Sequence, residues 1–277
     1  MRTKKKRLGT KVKIRVLKER EKRIVTAIFL AFILLMVIFS AYFIYTILRQ
    51  PQNQTSNPTS ELKAAIVDQA SLSPAGGFNE TFVNEATNLL GQAGYTVDYC
   101  SGEKVTVEFY RNLPTHGYSL IILRVHAAVT EGSQSLGIFT SERYDKTKYT
   151  YEQLTERLAI CVYSQLDRES GITYFGIRSG FVTSGMNGRF ENTVIIMTGC
   201  EGLTYPAIAE AFIQKGAKVY IGWDKGILFS HTDTATIHLL QHLIIEKQTI
   251  EQAVTETMKE VGPDPIDGSV LRYYPNT

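Results

Sequence analysis

The chain has 277 residues, and its 30 Lys or Arg against 27 Asp or Glu give a formal net charge of +3. The balance is uneven: twelve of the bases but only two acids lie in residues 1–23, and beyond Arg49 only 17 bases face 25 acids, about −8. An acidic body of that kind argues against nucleic acid as a partner.

Residues 1–23 form a basic tail. Residues 24–48 follow without a charge, and at ~1.5 Å per residue a helix of that length crosses a ~30 Å hydrocarbon core with some tilt. Tyr42 and Tyr45 suit the far interface. A cleaved signal peptide would have a shorter apolar region and a small-residue cleavage site. This segment instead ends Tyr-Phe-Ile-Tyr-Thr-Ile-Leu-Arg, which favours an uncleaved single-pass anchor. The basic flank keeps the N-terminus cytoplasmic, puts the remainder outside the cell membrane and makes the lipid bilayer a partner. Residues 49–61 are polar, contain Pro and lack aromatics, as a stalk does. Asn53-Gln-Thr55 and Asn79-Glu-Thr81 match the short N-glycosylation pattern.

Residues 62–277 suit one α/β domain with a substantial core. Predicted strands cover residues 63–68, 95–100, 118–126, 192–200, 218–223 and 269–274. Helices are expected over 78–93, 105–113, 206–215, 233–247 and 249–261. Alternation at this spacing predicts a mostly parallel sheet with helices on both faces. The apolar runs at 120–123 and 194–197 fit strands buried on both sides. An insertion, residues 127–191, interrupts the pattern and is too long for an ordinary βα loop. Within it, 135–140 and 171–177 look strand-like, 151–160 looks like a short helix, and Gly-rich 178–188 looks like a hairpin or a mobile flap.

In such a sheet, sites lie at the carboxyl ends of strands. Those ends carry Asp68, Cys100, His126, Cys200 and Asp224. Cys200 closes the run Asn192-Thr-Val-Ile-Ile-Met-Thr-Gly-Cys200-Glu-Gly202, ahead of a helix with Pro206 suited to its first position. A thiol becomes a useful nucleophile only when a base takes its proton, and imidazole is the usual base. His126 and Cys200 ending two strands of one sheet is therefore a candidate dyad. Backbone N–H groups after each strand could hold the oxyanion of a tetrahedral intermediate. Read alone, each residue is more often structural: a satisfied histidine, or a buried free cysteine.

These residues, in this order, resemble the caspase-like cysteine peptidases, nearest to their CHAT and gingipain-type domains. The resemblance spans residues 63–275. It is carried by Val194-Ile-Ile-Met-Thr-Gly-Cys-Glu-Gly202 and by Ala207-Ile-Ala-Glu-Ala-Phe-Ile-Gln-Lys-Gly-Ala-Lys-Val-Tyr-Ile-Gly-Trp223. It implies His126 as base and Cys200 as nucleophile, with the N–H groups of Ala127 and Cys200 holding the oxyanion. It also implies a substrate pocket drawing on Asp68, Thr198 and Asp224, where two carboxylates without a nearby base would favour Arg or Lys. Two features depart from the family pattern. Ala127 stands where a Gly usually follows the His, and Gly202 comes directly after Glu201.

The function so implied is a membrane-anchored, extracytoplasmic cysteine endopeptidase acting on protein or peptide substrates, without cofactor or metal. The alternative is a catalytically inactive caspase-like domain acting as a receptor or assembly module. A flavodoxin-like binding domain is disfavoured, because residues 71–77 lack the Lys of a phosphate loop. His238 and His242 stand four apart on a predicted helix but have no evident third ligand, so they read as helix-face residues. Cys100 and Cys161 could pair outside the cytoplasm.

Overall fold

The computed structural model describes residues 29–30, 32–42, 62–129 and 134–275. Residues 29–30 and 32–42 are helical, with Phe29, Leu30, Phe32, Leu34, Leu35 and Phe39 all exposed. Among the described residues no helix is long and apolar enough to cross a membrane. The basic tail, the stalk, Asn53 and much of the expected span at 24–48 lie outside the described residues.

Thr59–Thr277 form one unit. Its main sheet contains β1 (Leu62–Asp68), β2 (Tyr95–Ser101), β3 (Leu120–Arg124), β8 (Val194–Met197), β9 (Val219–Trp223) and β10 (Leu271–Tyr274). The spatial order is β10-β9-β8-β3-β1-β2, with five parallel strands and an antiparallel β10 at one edge. Side chains alternate across it. Ala65, Val67, Ile121, Leu123, Ile195 and Met197 face one core, covered by α2 (Val107–Asn112), α5 (Ser179–Ser184) and α6 (Ala207–Gln214). Ala64, Ile66, Leu120, Ile122 and Ile196 face the other, under α1 (Glu80–Gln92), α7 (Phe229–Leu240) and α8 (Ile250–Val261). Both faces of the sheet are dry, which is why the central strands read as continuous apolar runs.

Local signals set the helix ends. The Asn79 side chain accepts from the Phe82 N–H at the start of α1, and Thr249 with Gln252 forms a capping box on α8. The Asn79 amide also donates to Asp233 at 2.8 Å, so this Asn of a glycosylation pattern is already engaged on both its atoms.

The insertion departs from expectation at two places. Residues 151–160 are not one helix: α3 (Thr150–Leu154) gives way to strand β6 (Leu158–Cys161). Residues 178–188 are not a hairpin or flap but contain α5. Its Phe181 and Val182 are fully buried and Met186 nearly so. The Gly residues there are turn signals only in isolation, and the apolar pair between them decides the outcome. A second, antiparallel sheet results, in the order β4 (Ala127–Val129), β5 (Leu136–Arg143), β7 (Tyr174–Ile177) and β6. A further short helix, α4 (Gln165–Glu169), joins β6 to β7.

Candidate active site

The candidate dyad residues follow two neighbouring parallel strands, β3 and β8. Leu123 pairs with Met197, and the ladder continues past the strand ends, because the Thr198 N–H donates to the Leu123 carbonyl at 3.0 Å. His126 and Cys200 each lie three residues beyond that last pair. Gly199 permits the close approach of the two segments: a Cβ there would sit 2.3 Å from the Val125 carbonyl oxygen. Backbone cannot yield cheaply, so Gly199→Ala should cost about 1–3 kcal/mol, the usual range for forcing extra atoms into packed structure. A urea unfolding midpoint unchanged in that variant would refute the close approach.

His126 is held on every side by residues from other elements. Its backbone N–H donates to Gln69 Oε1 at 3.0 Å, and its ring Nε2 lies 2.6 Å from Ser73 Oγ. Gln69 also donates to Tyr163 Oη at 2.6 Å. The ring is boxed edge-on by Tyr163 and Phe229, at centroid distances of 4.9 and 4.8 Å, and by Phe139 at 5.8 Å. Burial and then the charge of Arg124 push its pKa down to about 4, so the imidazole is neutral at pH 7.

Cys200 has different partners. The Ile227 N–H donates to Sγ at 3.4 Å, and Sγ lies 3.6 Å from the Ile227 carbonyl. In this structure the thiol is bonded to Ile227, not to the imidazole. Both groups nonetheless border the same short segment, Cys200 at Ile227 and His126 at Phe229. Burial pushes the Cys200 thiol up. The Ile227 N–H opposes this, while Glu201, Asp267 and Asp264 add to it. At rest both the thiol and the imidazole are therefore neutral.

Backbone donors border this crevice. The Phe139 N–H donates to the His126 carbonyl and Ala127 faces Ile138, which makes Ala127 and Ile138 a non-hydrogen-bonded antiparallel pair. The Ala127 N–H thus points away from β5, as does that of Val129 two residues on. The Val129 N–H donates to Glu201 Oε2 at 2.7 Å. Ala127 is not among the described left-handed residues, so Ala in place of Gly brings no strain there. Glu201 is left-handed, with φ +59°, and its own N–H donates to the Lys225 carbonyl.

The acidic pocket does not form as expected, because neither carboxylate lacks a base. Asp68 is fully buried and accepts from Arg124 Nη1 at 2.7 Å, from the Tyr99 hydroxyl and from the Ser71 N–H. Burial still pushes its carboxyl up against the pull of Arg124. Asp224 pairs with Arg272 at 2.8 Å and accepts from the Val270 N–H, which hold it below the usual carboxylate range although burial opposes them. Thr198 is buried and spends its hydroxyl on the Leu123 carbonyl.

Cys100 and Cys161 are both free and belong to different clusters. His238 and His242 both bond Glu260, and His242 bonds Glu246 as well. Among the described residues no group of three or more His, Cys, Asp or Glu could hold a metal ion.

Gln69, Ser73, Tyr163, Phe229 and Arg124 are site residues that sequence reasoning missed. Gln69 follows β1 directly and Ser73 closes the 3-10 turn after it, and that position at a strand's carboxyl end is the signal that could have found them. Beyond Phe139, whose ring contacts His126, a cavity of about 570 Å³ opens between Ala128, Val129, Ile160, Arg168 and Arg178.

No family model and no curated protein matches the sequence. Among solved structures, the chain resembles the Arg-specific cysteine proteinase gingipain R. The identity is 14%, covering 73% of this chain and 43% of that one, with a TM-score of 0.43. A complex of Porphyromonas gingivalis RgpB pro- and mature domains gives 14% identity over 72% of this chain and 43% of that one, with a TM-score of 0.40. The chain thus spans less than half the length of either. No residue's role follows from a likeness of that size.

Proposed function

We propose that the chain is a cysteine endopeptidase in which His126 takes the proton of Cys200 and the thiolate attacks a peptide carbonyl. The observation that supports this reading is the β3–β8 register, whose last pair, Leu123 and Met197, stands three residues before His126 and Cys200 on neighbouring strands. The Ala127 N–H, turned out of its ladder, supports a role in holding the oxyanion together with the N–H of Cys200. The cavity beside Phe139 offers room for a peptide side chain. Loose dyad geometry in an unliganded site is common and tightens when substrate binds. A preference for Arg or Lys would require the Asp68–Arg124 and Asp224–Arg272 pairs to open.

One observation favours the second reading, an inactive receptor or assembly module: Cys200 bonds Ile227 rather than His126. Chemistry separates the two. Incubation of the full-length chain with a thiol-reactive peptide probe should label Cys200 far faster than Cys100 and Cys161, which are buried, free and internal controls. His126→Ala should slow Cys200 labelling by about 10²–10⁴-fold, the usual worth of general base catalysis. Equal labelling of all three cysteines, read by mass spectrometry, would leave the inactive module standing.

The anchoring at residues 24–48, with the domain outside the cell, is also a proposal. It is supported by the charge-free run, its basic flank and the exposed apolar side chains at 29–42. Extraction of the chain from membranes by carbonate alone would count against it.

A further inference from the structure

Ser73 sits in the loop after β1, 3% exposed, within hydrogen-bond distance of three groups. Its hydroxyl donates to the Ala70 carbonyl at 3.0 Å, accepts from the Gly76 N–H at 2.9 Å and faces His126 Nε2 at 2.6 Å. A hydroxyl has one proton and two lone pairs. With the proton on Ala70 and one lone pair taken by Gly76, only a lone pair remains for the ring. Nε2 must then bring the hydrogen. The other tautomer makes fewer bonds: the Ser73 proton would turn to Nε2, one Ser73 lone pair would stay empty, and the Ala70 carbonyl would keep only the Ser73 N–H. Gly76 keeps the loop in this shape, because a Cβ there would meet Ala70 O at 2.6 Å and Ser73 Oγ at 2.9 Å.

We infer that Ser73 is the positioning residue of the dyad: by accepting from Nε2–H it fixes the tautomer of His126 and leaves Nδ1 as the bare nitrogen that takes the Cys200 proton. The inference rests on the peptidase reading. In the step, the S–H bond breaks, an Nδ1–H bond forms, and the electron pair stays on sulfur. The positive charge gained by the ring is shared with the oxygen of Ser73. This matters because the ring stands among Phe139, Tyr163 and Phe229, with Arg124 the nearby charge, surroundings that oppose an imidazolium. One oriented acceptor on Nε2 is then the chief protein group favouring it.

The test has two arms. In the full-length chain labelled with nitrogen-15 histidine, the His126 signals are assigned by their loss in His126→Gln. At pH 7 the wild type should show a protonated Nε2 and a bare Nδ1. This measurement needs no variant of Ser73 to fold. The second arm follows the rate of Cys200 alkylation by iodoacetamide against pH. The wild type should show a plateau through neutral pH, where His126 assists, and an alkaline rise, where the thiol ionises unaided. Ser73→Ala should lower the plateau roughly 10-fold, the loss expected for one hydrogen bond, and leave the alkaline rise in place. A protonated Nδ1 in the wild type, or a plateau and alkaline arm falling together, overturns the positioning role alone. A wild-type Cys200 with no plateau at all overturns the peptidase reading, and the positioning role with it.

Discussion

Arg124→Met should destabilise the domain by about 3–5 kcal/mol at pH 7, the range for removing one partner of a buried ion pair. Arg124 is 1% exposed and makes six polar or stacking contacts: with Asp68, the Gly77 carbonyl, both oxygens of Asp233, and the Phe82 and Phe229 rings. It bonds two carboxylates at once, so its loss strands two buried acids rather than one. The size of the penalty comes from that stranding and less from any favourable energy of the pairs themselves. The deficit should shrink as pH falls below neutrality, since burial already pushes Asp68 up and protonation then removes the stranded charge. Adding Asp68→Asn and Asp233→Asn should recover much of it. Urea unfolding of the wild type, the single variant and the triple variant checks this, and a single-variant loss below about 1 kcal/mol would mean that water reaches the triad.

Acidification from pH 7 to pH 4 should remove up to about 3 kcal/mol of stability through His126 alone. Its pKa in the folded chain is about 4, against 6.5 for the free side chain. Between those values the unfolded chain binds the extra proton, so stability rises with pH across the window and falls on acidification. The gap from 6.5 to about 4 converts to that figure at 1.36 kcal/mol for each tenfold change. His126→Gln, which cannot titrate, should be flatter between pH 6.5 and 4 while keeping the losses due to carboxylates. Parallel slopes for the two proteins would mean that His126 is protonated in the folded chain near its ordinary value.

Much of this architecture is legible from residue patterns. The six strands of the main sheet and their order of appearance follow from apolar runs closed by turn residues, since strands buried on both faces carry no polar interruption. The placement of His126 and Cys200 at a common edge follows from the same runs. What could not be read was partnership. Asp68 at a strand end reads equally as a turn former, a pocket wall or half of an ion pair. Only the fold brings Arg124 beside it from β3 and Asp233 from α7. Ser73 and Gln69 look like ordinary loop residues until His126 arrives from 53 and 57 residues away. Helix α5 was hidden for another reason: its Gly and Ser residues have low helical preference, and burial of Phe181 and Val182 overrides it.

The hold of Glu201 on the Cys200 turn has a consequence for modularity. That one residue ties two distant stretches to the turn, its carboxylate accepting from Val129 at the head of the insertion and its N–H donating to Lys225 after β9, while its own backbone is left-handed. Left-handed backbone at a non-glycine residue costs on the order of 1 kcal/mol and persists only where the surroundings enforce it. The insertion is therefore no detachable ornament. A chimera that trimmed residues 127–191 to a short linker would strip α5, with its buried Phe181 and Val182, from one helical layer, and it would also release the turn that aims the thiol. Exchange of parts between relatives of this chain should respect that tie, with the insertion and the Cys200 turn inherited together or not at all.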